Sequence, residues 1–226
     1  MNYFFVRVKI LTGLLCLIFS MGANAFCDRY PIDIKIVTHI PNPTYYHHLK
    51  GRDFPFAAKT KMPDSSEMMV RGLTVSKVDV SGTTKSYVEN KRNEVCVGLK
   101  EIVFKIGLEK LDVYIDKKYR PNSCAYKVVK EHEDIHVNIF RQAVSFYRRD
   151  IESELRKAVD KLYPVSLYKS EASQRRIDEL TKQEFVRVLN EIKPLLNFIN
   201  RKIDEKNSLI DTEENYRATS ARCRDW

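Results

Sequence analysis

Five consecutive residues, His132-Glu133-Asp134-Ile135-His136, hold the most chemically suggestive spacing in the chain. In an α-helix, positions i and i+4 share one face a turn apart, so both imidazoles can aim a nitrogen at a single ion. Glu133 projects from the neighbouring position and need not ligate. A carboxylate placed there can take a proton from a zinc-activated water and hand it to a leaving amine, while zinc lowers that water's pKa to about 7 and polarises the scissile carbonyl. The spacing therefore predicts a Zn2+ site with His132 and His136 as ligands and Glu133 as general base.

Catalytic zinc usually takes three protein ligands and leaves the fourth position to water. Two acids compete for the third place. If the helix carrying the motif and the next helix form an antiparallel hairpin turning near residue 166, His136 faces roughly residue 196, and Glu191 falls within about one to two turns of it. Asp211 is reached through the C-terminal tail. A Cys124–Cys223 bridge, one of the pairings open to the chain, would lay that tail along the motif helix and bring Asp211, or Tyr216 as an oxyanion donor, to the metal. His39, His47 and His48 rank below both, because adjacent histidines in a loop are more often surface residues.

The elements that must position these groups differ between the two halves. Apolar residues alternate in Ile32-Ile34-Ile36, Leu73-Val75, Val78-Val80, Val95-Val97-Leu99, Ile102-Phe104-Ile106 and Leu111-Val113-Ile115, which predicts antiparallel strands over residues 30–118. A loop-like stretch from Pro41 to Ser66 separates the first two, and Ser81-Gly82 and Gly107 read as turns. From Ser123 the period changes to that of a helix, with Val128, Ile135, Ile139, Ala143 and Phe146 in step up to a break at Pro164. A second helix, Ser170 to Lys206, carries a stripe from Ile177 to Ile203 and a kink at Pro194. Residues 207–226 read as an aperiodic tail. Strands followed by helices predict an α+β fold, a small antiparallel sheet packed on a long antiparallel helical hairpin, in one domain over residues 26–226.

The first 25 residues read as a signal peptide. Arg7 and Lys9 precede an apolar run from Ile10 to Phe19, and Ala23-Asn24-Ala25 supplies a cleavage site. No later segment is long and apolar enough to span a bilayer. Cys16 leaves with the leader, so Cys27, Cys96, Cys124 and Cys223 remain to form two disulfides in one of three connectivities. The formal charge of +9 falls by two on cleavage, and the remaining excess suits an anionic envelope surface. No aromatic-and-basic motif points to nucleic acid. The compartment is the periplasm or the outside of the cell.

The run from Ser123 to Val137, SCAYKVVKEHEDIHV, resembles the zincin helix of small secreted bacterial HExxH proteins, a family of largely uncharacterised function. The tail Asp211-Thr212-Glu213-Glu214-Asn215-Tyr216, with Cys223, is similar to endings found there, and the resemblance covers residues 94–226. Asn190-Glu191 also resembles the pair that supplies a glutamate ligand in gluzincins. The resemblance implies a zincin-like fold, zinc on His132 and His136, and Glu133 as the base of a metallopeptidase. Lys130 and Asp134 stand where the family pattern prefers uncharged residues, and Asn138 where it prefers an apolar one. Two function classes follow: an exported zinc-dependent hydrolase acting on peptides or proteins, and a non-catalytic envelope binding or assembly protein that keeps the fold. A disulfide-stapled adhesin without metal is a third.

Overall fold

The computed structural model describes residues 27–54, 71–224 and 226; the leader expected at residues 1–25 lies outside them, as does the proline-rich stretch beyond Phe54. In chain order come β1 (Asp33–His39), β2 (Thr44–Tyr46), β3 (Gly72–Lys91), β4 (Glu94–Ile115), α1 (Cys124–Val159), β5 (Val165–Tyr168), α2 (Gln174–Ser208) and α3 (Glu213–Ala221). β4 is the spine of the sheet. β3 runs antiparallel along its whole length, joined to it by the two-residue turn Arg92-Asn93. The opposite edge is shared end to end by β5 against Glu94–Val97, β1 against Glu101–Gly107 and β2 against Asp112–Tyr114.

The sheet is therefore mixed, and the expectation of an antiparallel sheet needs correction: β1 and β2 pair with β4 in parallel. A two-residue turn forces antiparallel pairing on β3 and β4 alone. β1 and β2 precede that hairpin and reach the far edge of β4 through longer connections, so no turn dictates their direction. The shorter strands expected from the pattern also merge into β3 and β4. Between Ser76 and Val78, and between Lys85 and Ser86, β4 carries an extra residue, and each bulge resets the alternation that the sequence displays. Ser81-Gly82 and Gly107 are paired strand residues instead of turns. A Cβ on Gly107 would overlap the carbonyl oxygen of His39 in β1, so glycine there permits close pairing.

α1 starts where Asn122, at φ +67°, turns the chain and Ser123 Oγ accepts the Tyr126 N–H at 3.1 Å. Val137, Phe140, Val144, Ile151 and Leu155 of α1 join Val188, Ile192, Ile199 and Ile203 of α2 over Ile102, Phe104, Ile106 and Leu108 of β4. Burying each such side chain contributes about 1.5–3 kcal/mol, which fixes α1 against the sheet. α2 continues on both sides of Pro194. Asn207 meets His136 and Glu191 meets Lys161, so the two helices run in opposite directions. Their connection holds β5, not the bare turn expected near residue 166, and this displaces the register. His136 faces residue 207, not residue 196.

The tail is also more ordered than its pattern suggested. Thr212 caps α3 by accepting the Asn215 N–H at 3.2 Å, and Glu213 and Glu214 occupy the first turn, where negative charge favours a helix. Of the three possible connectivities, the chain adopts Cys27–Cys96 and Cys124–Cys223. Both bridges fit an oxidising compartment. Among the described residues no helix is long and apolar enough to cross a membrane.

Candidate metal centre

The buried stripe of α1 runs through the motif and not, as its periodicity suggested, through Ile135 and Phe146, which are exposed. Val129, His132, Glu133, His136, Val137 and Phe140 are all buried, with the three polar side chains only 9%, 2% and 6% exposed in that order. Buried polar groups are costly unless partnered, so where their hydrogen bonds go defines the site. His136 Nδ1 lies 3.0 Å from Asn207 Oδ1 in the last turn of α2. An amide oxygen only accepts, so Nδ1 carries the hydrogen and the Nε2 of neutral His136 presents a lone pair.

That lone pair points into a crowded corner. His136 Nε2 and His132 Nε2 stand 3.2 Å apart, and both meet one oxygen, Asp211 Oδ1, at 3.1 and 3.0 Å. The Tyr216 hydroxyl donates to the same oxygen at 3.2 Å, with its ring 5.3 Å from that of His132. Two imidazole nitrogens and a carboxylate oxygen this close form a donor set that a proton on His136 or a bound cation can bridge. Burial alone would push the His136 pKa down, but the hydrogen bond to Asp211 and the charge of Glu133 outweigh it and raise the pKa to about 9. Asp211 is held well below the ordinary carboxylate range, because its two histidine partners overcome the opposing effect of burial. Burial, reinforced by the charge of Asp211, pushes the Tyr216 phenol up.

His132, His136 and Asp211 are, among the described residues, the one group of three such side chains that converges in this way. The donor set fits zinc. Two imidazole nitrogens and a carboxylate oxygen at bond lengths of 2.0–2.1 Å, arranged tetrahedrally, stand about 3.3 Å from one another. The observed separations of 3.0–3.2 Å need only a slight widening.

Glu133 is turned from α1 toward Gly72 and Thr74 of β3. The Thr74 hydroxyl donates to Oε2 at 2.8 Å, and burial pushes the carboxyl pKa up. Gly72 makes the room: a Cβ there would overlap Oε1 and lie 2.8 Å from Cδ and Cγ.

The other residues singled out in the sequence lie elsewhere. Glu191 pairs with Lys161 at 2.6 Å on an exposed face, outside the cluster, because the helices pair in a different register. His39 ends β1, His47 packs edge-on to Tyr126 and His48 to Tyr46. None joins the cluster. Lys130 and Asp134 face β2, where the Tyr45 hydroxyl and the Lys130 ammonium donate to Asp134 at 2.5 and 2.7 Å. Their charges are satisfied without entering the site. Asn207, Thr74 and Gly72 carried no signal in sequence, since each acts through a contact far away along the chain. Comparison with protein-family models, with curated proteins and with solved structures finds no match to this chain.

Proposed function

We propose that this protein is an exported, zincin-like zinc-dependent hydrolase of peptides or proteins, in which His132, His136 and Asp211 hold the metal and Glu133 is the general base. One observation carries the reading: two Nε2 atoms and a carboxylate oxygen converge within 3.2 Å while Glu133, next in sequence, stays out of the cluster. Zinc bound there would polarise a carbonyl and make a water acidic at neutral pH.

The rest falls to the chain's own groups. Thr74 holds Glu133 through Oε2, and this carboxylate would accept a proton from the activated water and pass it to a leaving amine. The Tyr216 hydroxyl, which donates to Asp211 Oδ1, would have to turn from that oxygen to donate to an oxyanion. Asn207 keeps the His136 ring oriented. The two disulfides support the periplasm or the cell exterior, and the formal charge of +9 supports an anionic envelope surface nearby.

The burial of all three motif side chains favours a second reading, a metal-stabilised envelope binding or assembly protein without turnover. Glu133→Gln separates the two. On the hydrolase reading, wild type and variant carry one zinc per chain by elemental analysis, and hydrolysis of a broad fluorogenic peptide library falls by at least about 100-fold in the variant. Zinc in both and hydrolysis in neither assigns the binding role. Purified protein that neither carries zinc nor is stabilised by it overturns the metal site itself.

A further inference from the structure

We infer that the Cys124–Cys223 disulfide is a working part of the metal site, so that the chain binds zinc tightly only once this bridge has formed. The inference rests on the metal-site reading above and adds its regulation. Cys124 is the first residue of α1, about 12 Å along the helix from His132, and Cys223 lies just beyond α3. α3 has nine residues and none is buried. Isolated helices shorter than about 12–15 residues are marginal in water, so α3 owes its order to its attachments.

Those attachments are few. Besides the bridge, Arg71 donates to Ser220 Oγ in α3 at 2.5 Å, Arg222 pairs with Glu131 at 2.6 Å on the surface, and Trp226 packs edge-on to Tyr119 and under the Arg71 guanidinium at 4.2 Å. An exposed ion pair contributes about 0–1 kcal/mol and cannot replace a covalent link. α3 in turn positions the third ligand. Asp211 lies between the last residue of α2 and the Thr212 cap of α3, so its place is set from both sides. Asn207, through His136, anchors the α2 side. On the α3 side Tyr216 donates to the ligating oxygen and packs against His132. Without the bridge only non-covalent contacts hold that side, its order falls, and metal binding must then pay to restore it.

Cys27–Cys96 provides the internal control. Cys96 pairs with Ser166 near the start of β4, whereas Gly72, beside Glu133, pairs with Ile115 at the other end. Closing the Cys124–Cys223 bridge removes two protons and two electrons from the thiols. An exchangeable disulfide of the thiol–disulfide oxidant class takes them up and leaves as a dithiol. A chain held reduced would therefore bind zinc poorly.

The test compares the full exported chain with C124S/C223S and C27S/C96S, serine being used because free thiols would compete for metal. Zinc affinity is read by competition with a chromophoric chelator, and α3 amide protection by hydrogen exchange. We expect C27S/C96S to stay within threefold of wild type, and C124S/C223S to bind at least tenfold more weakly with residues 213–221 unprotected while α1 and α2 stay protected. Adding Asp211→Asn should shrink the effect of removing the bridge to threefold or less, since the bridge acts through that ligand. Zinc binding by C124S/C223S within threefold of wild type overturns the inference and leaves the metal site standing. Absence of zinc binding by wild type overturns both. If C124S/C223S does not fold, Tyr216→Phe serves in its place, and an affinity unchanged by that substitution likewise overturns the inference.

Discussion

Replacing Gly72 with alanine places a methyl group against the buried carboxylate of Glu133. The new Cβ would overlap Oε1 and lie 2.8 Å from Cδ and Cγ, where ordinary contact begins at 3.4 Å. The carboxylate must retreat by about 0.6 Å or more, since close-packed interiors yield little. Glu133 is 2% exposed, so there is no solvent to retreat into, and the 2.8 Å bond from Thr74 stretches. Overpacking of this kind costs about 1–3 kcal/mol. At about 2–4 °C per kcal/mol for a domain of this size, Tm should fall by roughly 2–12 °C. On the hydrolase reading proposed above, a shift of order 1 Å in Glu133 would cost about 100-fold in rate. Zinc content should not change, because His132, His136 and Asp211 lie outside this contact. Thermal melts followed by circular dichroism, elemental analysis and a hydrolysis assay on one preparation read all three. A Gly72→Ala protein with wild-type Tm and wild-type hydrolysis would refute the argument that this glycine makes room for the Glu133 carboxylate.

Adding zinc at 100 times its Kd to metal-free wild type should stabilise the fold by about 2.7 kcal/mol and raise Tm by roughly 5–10 °C, and His136→Ala should abolish that rise. Asn207→Ala removes the acceptor for His136 Nδ1 and should weaken zinc binding about 10- to 100-fold in a chelator competition. Tyr45→Phe removes the hydroxyl shared by Lys130 and Asp134; because that cluster is partly exposed and off the metal, stability should change by less than about 1.5 kcal/mol and zinc affinity not at all.

How much of this was legible in the chain can be judged residue by residue. His132, Glu133 and His136 were readable because the i, i+4 geometry of a helix is local, and a helix fixes it wherever it packs. The two-residue period of β3 and β4 was readable for the same reason, up to the bulges that interrupt it. Of the five cysteines, the four beyond the export-like leader pointed to two bridges but not to their pairing, which depends on which ends of the fold meet.

Everything that required two distant segments to meet was decided by the tertiary structure. The direction of β1 and β2 depended on which edge of β4 they reach. The choice of Asp211 over Glu191 as neighbour of the histidines depended on the helix register. The connection between the helices holds a four-residue strand, and no periodicity in either helix reports the register that results. Thr74, Gly72 and Asn207 are ordinary residues in sequence, and they matter because packing α1 between β3 and the end of α2 leaves three buried polar side chains that must find partners there. A helix can dictate the spacing of its own ligands, but which groups complete them is determined by the long-range contacts that pack it.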